Sequence, residues 1–175
     1  MAEDERRKIE DYIIRTRALS DDEGVLFRHP MNPKSEIRMH RLSDRVGMQR
    51  AQLSLGRIPS GKESFLPHAH SCQEEFIFIL EGEARLEIDG SAARLGPGDY
   101  VGFPVDGAVH HLINDGPDDL VYLMGGERTA AEVCHFPTLG KIGIWDGSVM
   151  RYIDQDAGEA FTVQDFLAPS DADTE

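Results

Sequence analysis

Three histidines and a carboxylate stand at spacings that could bring their side chains to one metal ion. His68 and His70 are two residues apart, so on an extended chain both imidazoles project from the same face. Four residues then precede Glu75, enough for a turn that returns a carboxylate to the same place, with Glu74 facing the other way. His110 opens a later segment that is also approached through glycine and proline turns. The spacing predicts a metal site formed by His68, His70, Glu75 and His110, in which the choice of Glu75 over Glu74 rests on that turn.

This set of ligands indicates which metals and which chemistry to expect. Neutral imidazole nitrogens bind Zn, Fe, Mn, Ni or Cu at about 2.0–2.2 Å, and the same donors accept several of these ions. We therefore expect a divalent transition metal without choosing among the five, and no organic cofactor. The site leaves coordination positions open for water or a substrate, which indicates reactivity as well as structural support.

The remaining cysteines and histidines are weaker candidates for a metal-binding or catalytic role. Cys72 lies close to the proposed ligands and could be a soft metal ligand or a catalytic thiol, but we expect a small buried residue. Cys72 and Cys134 are expected to be free thiols rather than one disulfide. His111 should point to the face opposite His110 and is left out of the site. Three further histidines are expected to be structural: His29, His40 and His135.

Short strands must position these residues, because apolar and polar side chains alternate with a period of two in many segments. In residues 49–58, for example, Ala51, Leu53 and Leu55 alternate with polar neighbours. Gly, Pro, Asn or Asp separates one segment from the next. We predict strands over residues 38–42, 49–58, 75–80, 84–88, 92–95, 100–103, 110–114, 120–124, 132–137 and 140–145. Regular short strands of this kind indicate an all-β sandwich or barrel.

The chain has length for one domain, since 175 residues can bury an autonomous core and no motif repeats. Residues 4–19 suit a short amphipathic helix, or equally an edge strand because Tyr12, Ile13 and Ile14 are β-prone. We divide the domain into an N-terminal arm with the first strands (1–47), a barrel that carries both metal segments (48–126), C-terminal strands that complete the same domain (127–168) and a disordered tail (169–175).

The segment around the first two histidines resembles the first motif of the cupin superfamily, G-x5-H-x-H-x3-4-E-x6-G. His68, His70, Glu75 and Gly82 match this motif, whereas Gly61 stands one residue too far from His68. The departure falls in a turn, where an insertion is tolerated. The resemblance implies that His68, His70 and Glu75 are metal ligands.

The segment around the third histidine resembles the second cupin motif, G-x5-P-x-G-x2-H-x3-N. Gly98, Pro104, Gly107, His110 and Asn114 match it, with one extra residue between the proline and the second glycine. Two motifs in the right order make the resemblance specific over roughly residues 50–126. It implies a cupin double-stranded β-helix, a jelly-roll barrel, with His110 as the fourth ligand. The spacing also resembles small stand-alone cupins described as sugar-phosphate-isomerase-like.

Charge and composition limit the classes of partner that the protein can bind. The chain carries 32 acidic and 18 basic residues, and a net charge of -14 would repel nucleic acid backbones and anionic lipids. We therefore expect no nucleic acid and no membrane partner. The N-terminus lacks the apolar core of a secretory signal, which favours a cytoplasmic location. The apolar run 76–80 should be covered inside the barrel and outside by a second subunit or the N-terminal segment, so a homodimer is expected.

The function expected from these features is that of a metal-binding cupin acting on a small polar metabolite. The reaction could be that of a sugar or sugar-phosphate isomerase or epimerase, or of a dioxygenase. The alternative is a non-catalytic module that binds or senses a small molecule. Candidates for holding a phosphate are Arg50, Arg57 and Lys62, each of which could equally be a surface residue. Candidates for lining a polar pocket, or else for packing, are Gln52, Tyr100 and Tyr122.

Overall fold

The computed structural model describes residues 6–105, 107–159 and 161–166. These residues form thirteen strands and one four-residue α-helix, α1 (Leu42–Arg45). The strands are β1 (Val25–Phe27), β2 (Ile37–Arg41), β3 (Ala51–Ile58), β4 (Ala69–His70), β5 (Glu75–Glu81), β6 (Ala84–Ile88), β7 (Ser91–Leu95), β8 (Tyr100–Phe103), β9 (His110–Ile113), β10 (Leu120–Glu127), β11 (Glu132–Phe136), β12 (Lys141–Trp145) and β13 (Met150–Asp154).

The strands form two walls that enclose the core. One wall is a six-stranded antiparallel sheet in the order β1-β2-β3-β10-β5-β8. The other consists of a four-stranded sheet, β13-β12-β11-β4, and a three-stranded sheet, β7-β6-β9. An antiparallel bridge between His68 and His110 joins these two smaller sheets. The all-β cupin barrel expected from the sequence is confirmed.

Alternation along the strands places the core between the walls. In β5, Ile77 and Ile79 point inward, and they pair in register with Met124 and Tyr122 of β10. Burial of one large apolar side chain contributes roughly 1.5–3 kcal/mol. The same alternation directs Phe76, Phe78 and Leu80 of β5 to the outer face, where they are only partly covered in one chain. The expectation of a homodimer on this face stays a prediction.

The structure also shows what the periodicity did not predict. β1 and β4 have three and two residues, too few for a period of two to be visible. The regular helix or edge strand expected over residues 4–19 is not formed in its described part, which has single 3-10 turns at Ile9–Tyr12 and Thr16–Ala18. No side chain of either turn is buried, so no packing against the barrel stabilises a longer helix.

The tail at residues 169–175 lies outside the described residues. Within the described ranges, no helix combines the length and the hydrophobicity that crossing a bilayer requires.

Candidate metal centre

The four side chains singled out by spacing converge at one end of the barrel. His68 precedes β4, His70 ends it, Glu75 begins β5 and His110 begins β9. The donor atoms all lie within 4.8 Å of one another. Glu75 Oε2 is 3.1 Å from His70 Nε2 and 3.9 Å from His110 Nε2. The structure thus brings together all four residues, which come from three different sheets.

Hydrogen bonds fix the orientation of two of the imidazoles. His68 Nδ1 donates to the Leu66 carbonyl at 2.6 Å, and His110 Nδ1 donates to the Ala108 carbonyl at 3.2 Å. Each ring therefore keeps an unprotonated Nε2, the state that a metal ligand requires. The backbones of the two residues are also tied together, since His68 N donates to His110 O at 3.2 Å and His110 N donates to His68 O at 2.9 Å.

Glu132 of β11 holds the turn that connects His70 to Glu75. Its Oε1 accepts hydrogen bonds from the backbone nitrogens of Ser71 and Cys72 at 2.8 and 3.1 Å. The side chain is buried, and its Oε2 has no hydrogen-bond partner in the described structure. This turn performs the role that the sequence spacing required, and it directs Glu75 rather than Glu74 toward the histidines.

Burial and mutual charge set the protonation of the cluster. Burial, together with the neighbouring His110 and His70, lowers the pKa of His68 to about 3. Burial also lowers the pKa of His110. Burial acts in the same direction on His70, but hydrogen bonds to Cys134 and Glu75 outweigh it and raise the pKa to about 10. Burial would raise the pKa of Glu75, but its hydrogen bond with His70 holds that pKa below the ordinary value.

The donor set fits a divalent transition metal. Three imidazole nitrogens and a carboxylate oxygen face one point, and His70 Nε2 is buried without a well-aligned hydrogen-bond partner among the described residues. Ligands about 2.1 Å from a metal stand about 3–4 Å apart. The distances from Glu75 Oε2 to His70 Nε2 and to His110 Nε2 lie in that range. Such an ion would be held by His68, His70, Glu75 and His110. It would replace the proton on His70, whose pKa is raised to about 10 in the metal-free cluster.

The pKa of His70 leads to a test by metal titration. Below about pH 10 the metal-free cluster keeps the His70 proton, and a metal must displace it. We expect the apparent affinity for Zn²⁺ to rise about tenfold per pH unit between pH 6 and 8. Calorimetry in buffers of different ionisation enthalpy should show release of about one proton per metal. An affinity that is flat above pH 7 would show that His70 is already neutral.

Other histidines and cysteines lie where they cannot complete this set. His111 projects away from His110, with its Nε2 3.6 Å from Glu63 Oε2. Cys72 is exposed, so the expectation of a small buried residue was wrong: it lies on the turn, where only its backbone is anchored. Cys134 is buried and free, and its Sγ lies 3.7 Å from His70 Nδ1.

Two connected cavities open from the cluster. The inner cavity, of about 390 Å³, lies between the barrel walls and is lined by Ser54, Ile77, Leu86, Leu112, Tyr122 and Met124 among others. The outer cavity, of about 550 Å³, is lined by His70, Arg128, Glu132, Trp145 and Tyr152 among others. His68, Glu75, Gln52 and Arg41 line both. The proposed metal ligands therefore lie between a mostly apolar interior and a more polar mouth.

The mouth contains a histidine expected to be only structural. His29 Nδ1 accepts a hydrogen bond from the Met31 backbone, so Nε2 carries the proton and donates to the Tyr152 hydroxyl at 2.7 Å. Burial lowers the pKa of His29 and keeps it neutral. Both side chains line the outer cavity. Nothing in the spacing of His29 could have indicated this, because its partner is 123 residues away.

The candidates for phosphate binding lie away from the two cavities, which are lined by two other arginines. Arg57 contacts Asp21 and Asp119 on the outer side of the six-stranded sheet, and Lys62 contacts Glu36. Neither these two nor Arg50 lines the two cavities formed by the described residues. Arg41 lines both cavities, and Arg128 lines the outer one. Of the polar candidates, Gln52 and Tyr122 face the cavity and Tyr100 is exposed.

Comparisons with known proteins show which proteins the chain is similar to. The family model of the cupin domain matches residues 54–126. No curated protein matches the chain in sequence. The chain is similar to a crystal structure from Acidithiobacillus ferrooxidans named as a candidate sugar phosphate isomerase, with 28% identity, a TM-score of 0.84, and coverage of 89% of this chain and 99% of the other.

Two further solved structures extend the likeness. A sugar phosphate isomerase of the cupin superfamily from Silicibacter pomeroyi shares 26% identity at a TM-score of 0.70, covering 81% of this chain and 90% of that one. A polyketide cyclase from Streptomyces resistomycificus shares only the fold, with 20% identity, a TM-score of 0.51, and coverage of 62% and 77%. The match to the family model, the two motifs and the first two of these structures show that residues 54–126 are a cupin domain.

Proposed function

We propose that the protein is a metal-dependent isomerase or epimerase of a small polar hydroxy-carbonyl metabolite such as a sugar. The observation that carries the proposal is the ligand cluster at the junction of two cavities, with polar side chains on either side of it. Likeness to proteins named as sugar phosphate isomerases supports it. A bound divalent cation would polarise the carbonyl group and stabilise the negative charge that develops on its oxygen.

The side chains around the cluster suit binding and proton transfer. Gln52 and Ser54 offer an amide and a hydroxyl to substrate hydroxyl groups. Burial, and then the charge of Glu75, raises the pKa of Tyr122, so its hydroxyl stays protonated. That hydroxyl contacts only the weak acceptor Met124 Sδ at 3.6 Å in the described structure, and its proton is available to a ligand. At the mouth, the hydrogen-bonded pair of His29 and Tyr152 can relay a proton between substrate and water.

The test is turnover by the metal-loaded protein in deuterium oxide. Aldoses, ketoses and their phosphates are incubated with protein loaded with Zn²⁺, Mn²⁺, Fe²⁺, Ni²⁺ or Cu²⁺, and proton NMR follows interconversion and exchange next to the carbonyl. We expect isomerisation or epimerisation of at least one substrate, and none with metal-free protein. Absence of turnover across the panel, or oxygen consumption with aromatic diols in its place, would contradict the isomerase.

A second candidate function is a binding or sensing module without turnover. The inner cavity favours it, because Ile77, Leu86 and Leu112 present an apolar surface that a sugar does not need. The same panel separates the two candidates, since a binding module would bind a small molecule at the site and release it unchanged.

A further inference from the structure

Two arginines stand at the mouth of the cavity on either side of one carboxylate. Arg41 Nε lies 2.8 Å from Asp44 Oδ2, and Arg128 Nη2 pairs with Asp44 Oδ1. Arg41 ends β2 and Arg128 follows β10, so strands at different positions in the six-stranded sheet bring them together. Asp44 belongs to α1, which packs on the neighbouring β3. The carboxylate thereby holds both guanidinium groups at one edge of the outer cavity.

Two hydrogen-bond donors at this edge have no partner among the described residues. The Nε atom of Arg128 and the hydroxyl of Thr129 are both buried, and neither has a hydrogen-bond partner in the described structure. Both residues line the outer cavity together with His70 and Glu75. Buried donors without partners cost free energy, which a bound acceptor would recover. The pattern indicates an acceptor group that is part of a ligand.

The register of the six-stranded sheet directs Arg41 to the cavity. Arg41 pairs with Ser54, which pairs with Met124, and all three lie on the inner face in one row across the sheet. Glu75 begins the next row on the same face, opposite Gly126. The arginines and the metal ligands therefore face the same space from different strands, as two ends of one binding site require.

The edge formed by Arg41, Arg128 and Asp44 has a positive charge, although the chain carries a net charge of -14. Two guanidinium groups oppose the single carboxylate of Asp44. A divalent cation would offset the charges of Glu75 and Glu132, the acidic residues that line the outer cavity. Guanidinium groups bind carboxylates and phosphates through paired N–H groups, which makes a small oxyanion the ligand of matching chemistry.

We propose that Arg41, Arg128 and Thr129 form an anion subsite, which binds the phosphate or carboxylate of a small hydroxylated ligand while its other end lies at the metal ligands. This inference rests on the proposed function for the role of the other end, but anion binding itself can be measured without metal or turnover. Two sources of the anion, a phosphate ester and a carboxylic acid, share this chemistry.

Calorimetric titration of the metal-free and the metal-loaded protein tests the subsite. The probes are glycerol 3-phosphate, glycerate and uncharged glycerol, which share a carbon skeleton. We expect one or both anions to bind the metal-free protein, and glycerol to bind at least about tenfold more weakly. The anion that binds more tightly shows whether the subsite prefers a phosphate ester or a carboxylic acid. Arg128→Gln and Arg41→Gln should each weaken anion binding about tenfold or more, and Arg128→Lys should restore part of it.

Arg57→Gln is the matched control, because it removes the same charge from the outer side of the sheet. It should leave anion binding unchanged. Anion binding as tight in Arg41→Gln and Arg128→Gln as in the wild type, equal binding of glycerol, or no anion binding in either form overturns the proposal. Circular dichroism checks folding, and if Arg128→Gln does not fold, Arg41→Gln decides. Metal content and turnover of neutral sugars are measured separately. If the protein proves not to be an isomerase, the result on anion binding remains valid.

Discussion

Replacing His110 by alanine is expected to abolish tight metal binding and to reduce any metal-dependent turnover by at least about 100-fold. His110 supplies one of the four donor atoms, and its ring stacks on Phe103 at a centroid distance of 3.9 Å. Loss of a residue that merely supports a ligand costs about 10–100-fold in metal affinity, so loss of a ligand should cost more. Metal analysis of the purified variant and a Zn²⁺ titration measure the effect.

The adjacent histidine provides the control. His111 is as buried as His110, at 6% and 7% exposure, but it points away from the cluster toward Glu63. His111→Ala should lower the free energy of unfolding and keep the metal content of the wild type. Equal loss of metal in both variants would show that the cluster responds to damage of β9 rather than to loss of a ligand.

Replacing Gly126 by alanine should damage stability and metal binding together. A Cβ atom at this position would lie 2.2 Å from the Glu74 carbonyl oxygen and 3.1 Å from Glu75 Cα. Both contacts are with backbone, so β5 and β10 must move apart, and Glu75 moves with β5. We expect the free energy of unfolding to fall by about 2–3 kcal/mol and the metal affinity at least about tenfold. Urea unfolding of the metal-free protein and a metal titration measure the two effects.

Gly96→Ala is the matched control for that substitution, since nothing lies within 4 Å of the Cβ it would add. Its stability should stay within about 0.5 kcal/mol of the wild type. If Gly126→Ala lowers stability without changing metal affinity, the position of Glu75 does not depend on the close approach of these strands.

The ligand cluster could be predicted because its geometry is mostly local. His68 and His70 share a face through the period of a strand, and a short turn returns Glu75 to it. By contrast, Glu132, Arg41 and Arg128 reach the site only through the register of strands that are distant in sequence. One signal for Glu132 was present, since alternation along β11 places this carboxylate on the same face as two buried apolar side chains.

The alternation of side chains along β3 shows why Arg57 was a poor candidate for phosphate binding in the cavity. Gly56 and Ile58 of β3 face the core, so Arg57 between them must face outward. The alternation of apolar Ala51, Leu53 and Leu55 with polar residues was visible in the sequence. The polar set, which includes Gln52, lines the cavity. A strand whose polar side lines a cavity reverses the usual inference that its apolar side faces inward.

The proposed metal ligands all lie within residues 54–126, the part that matches the cupin family model. Arg41, Arg128 and Tyr152, which form walls of the mouth, lie outside that part on both sides. Reactive centre and mouth are thus encoded by different stretches of the chain. After gene duplication, one copy could change the compounds it accepts through substitutions in the flanking stretches alone, while it inherits the metal ligands intact.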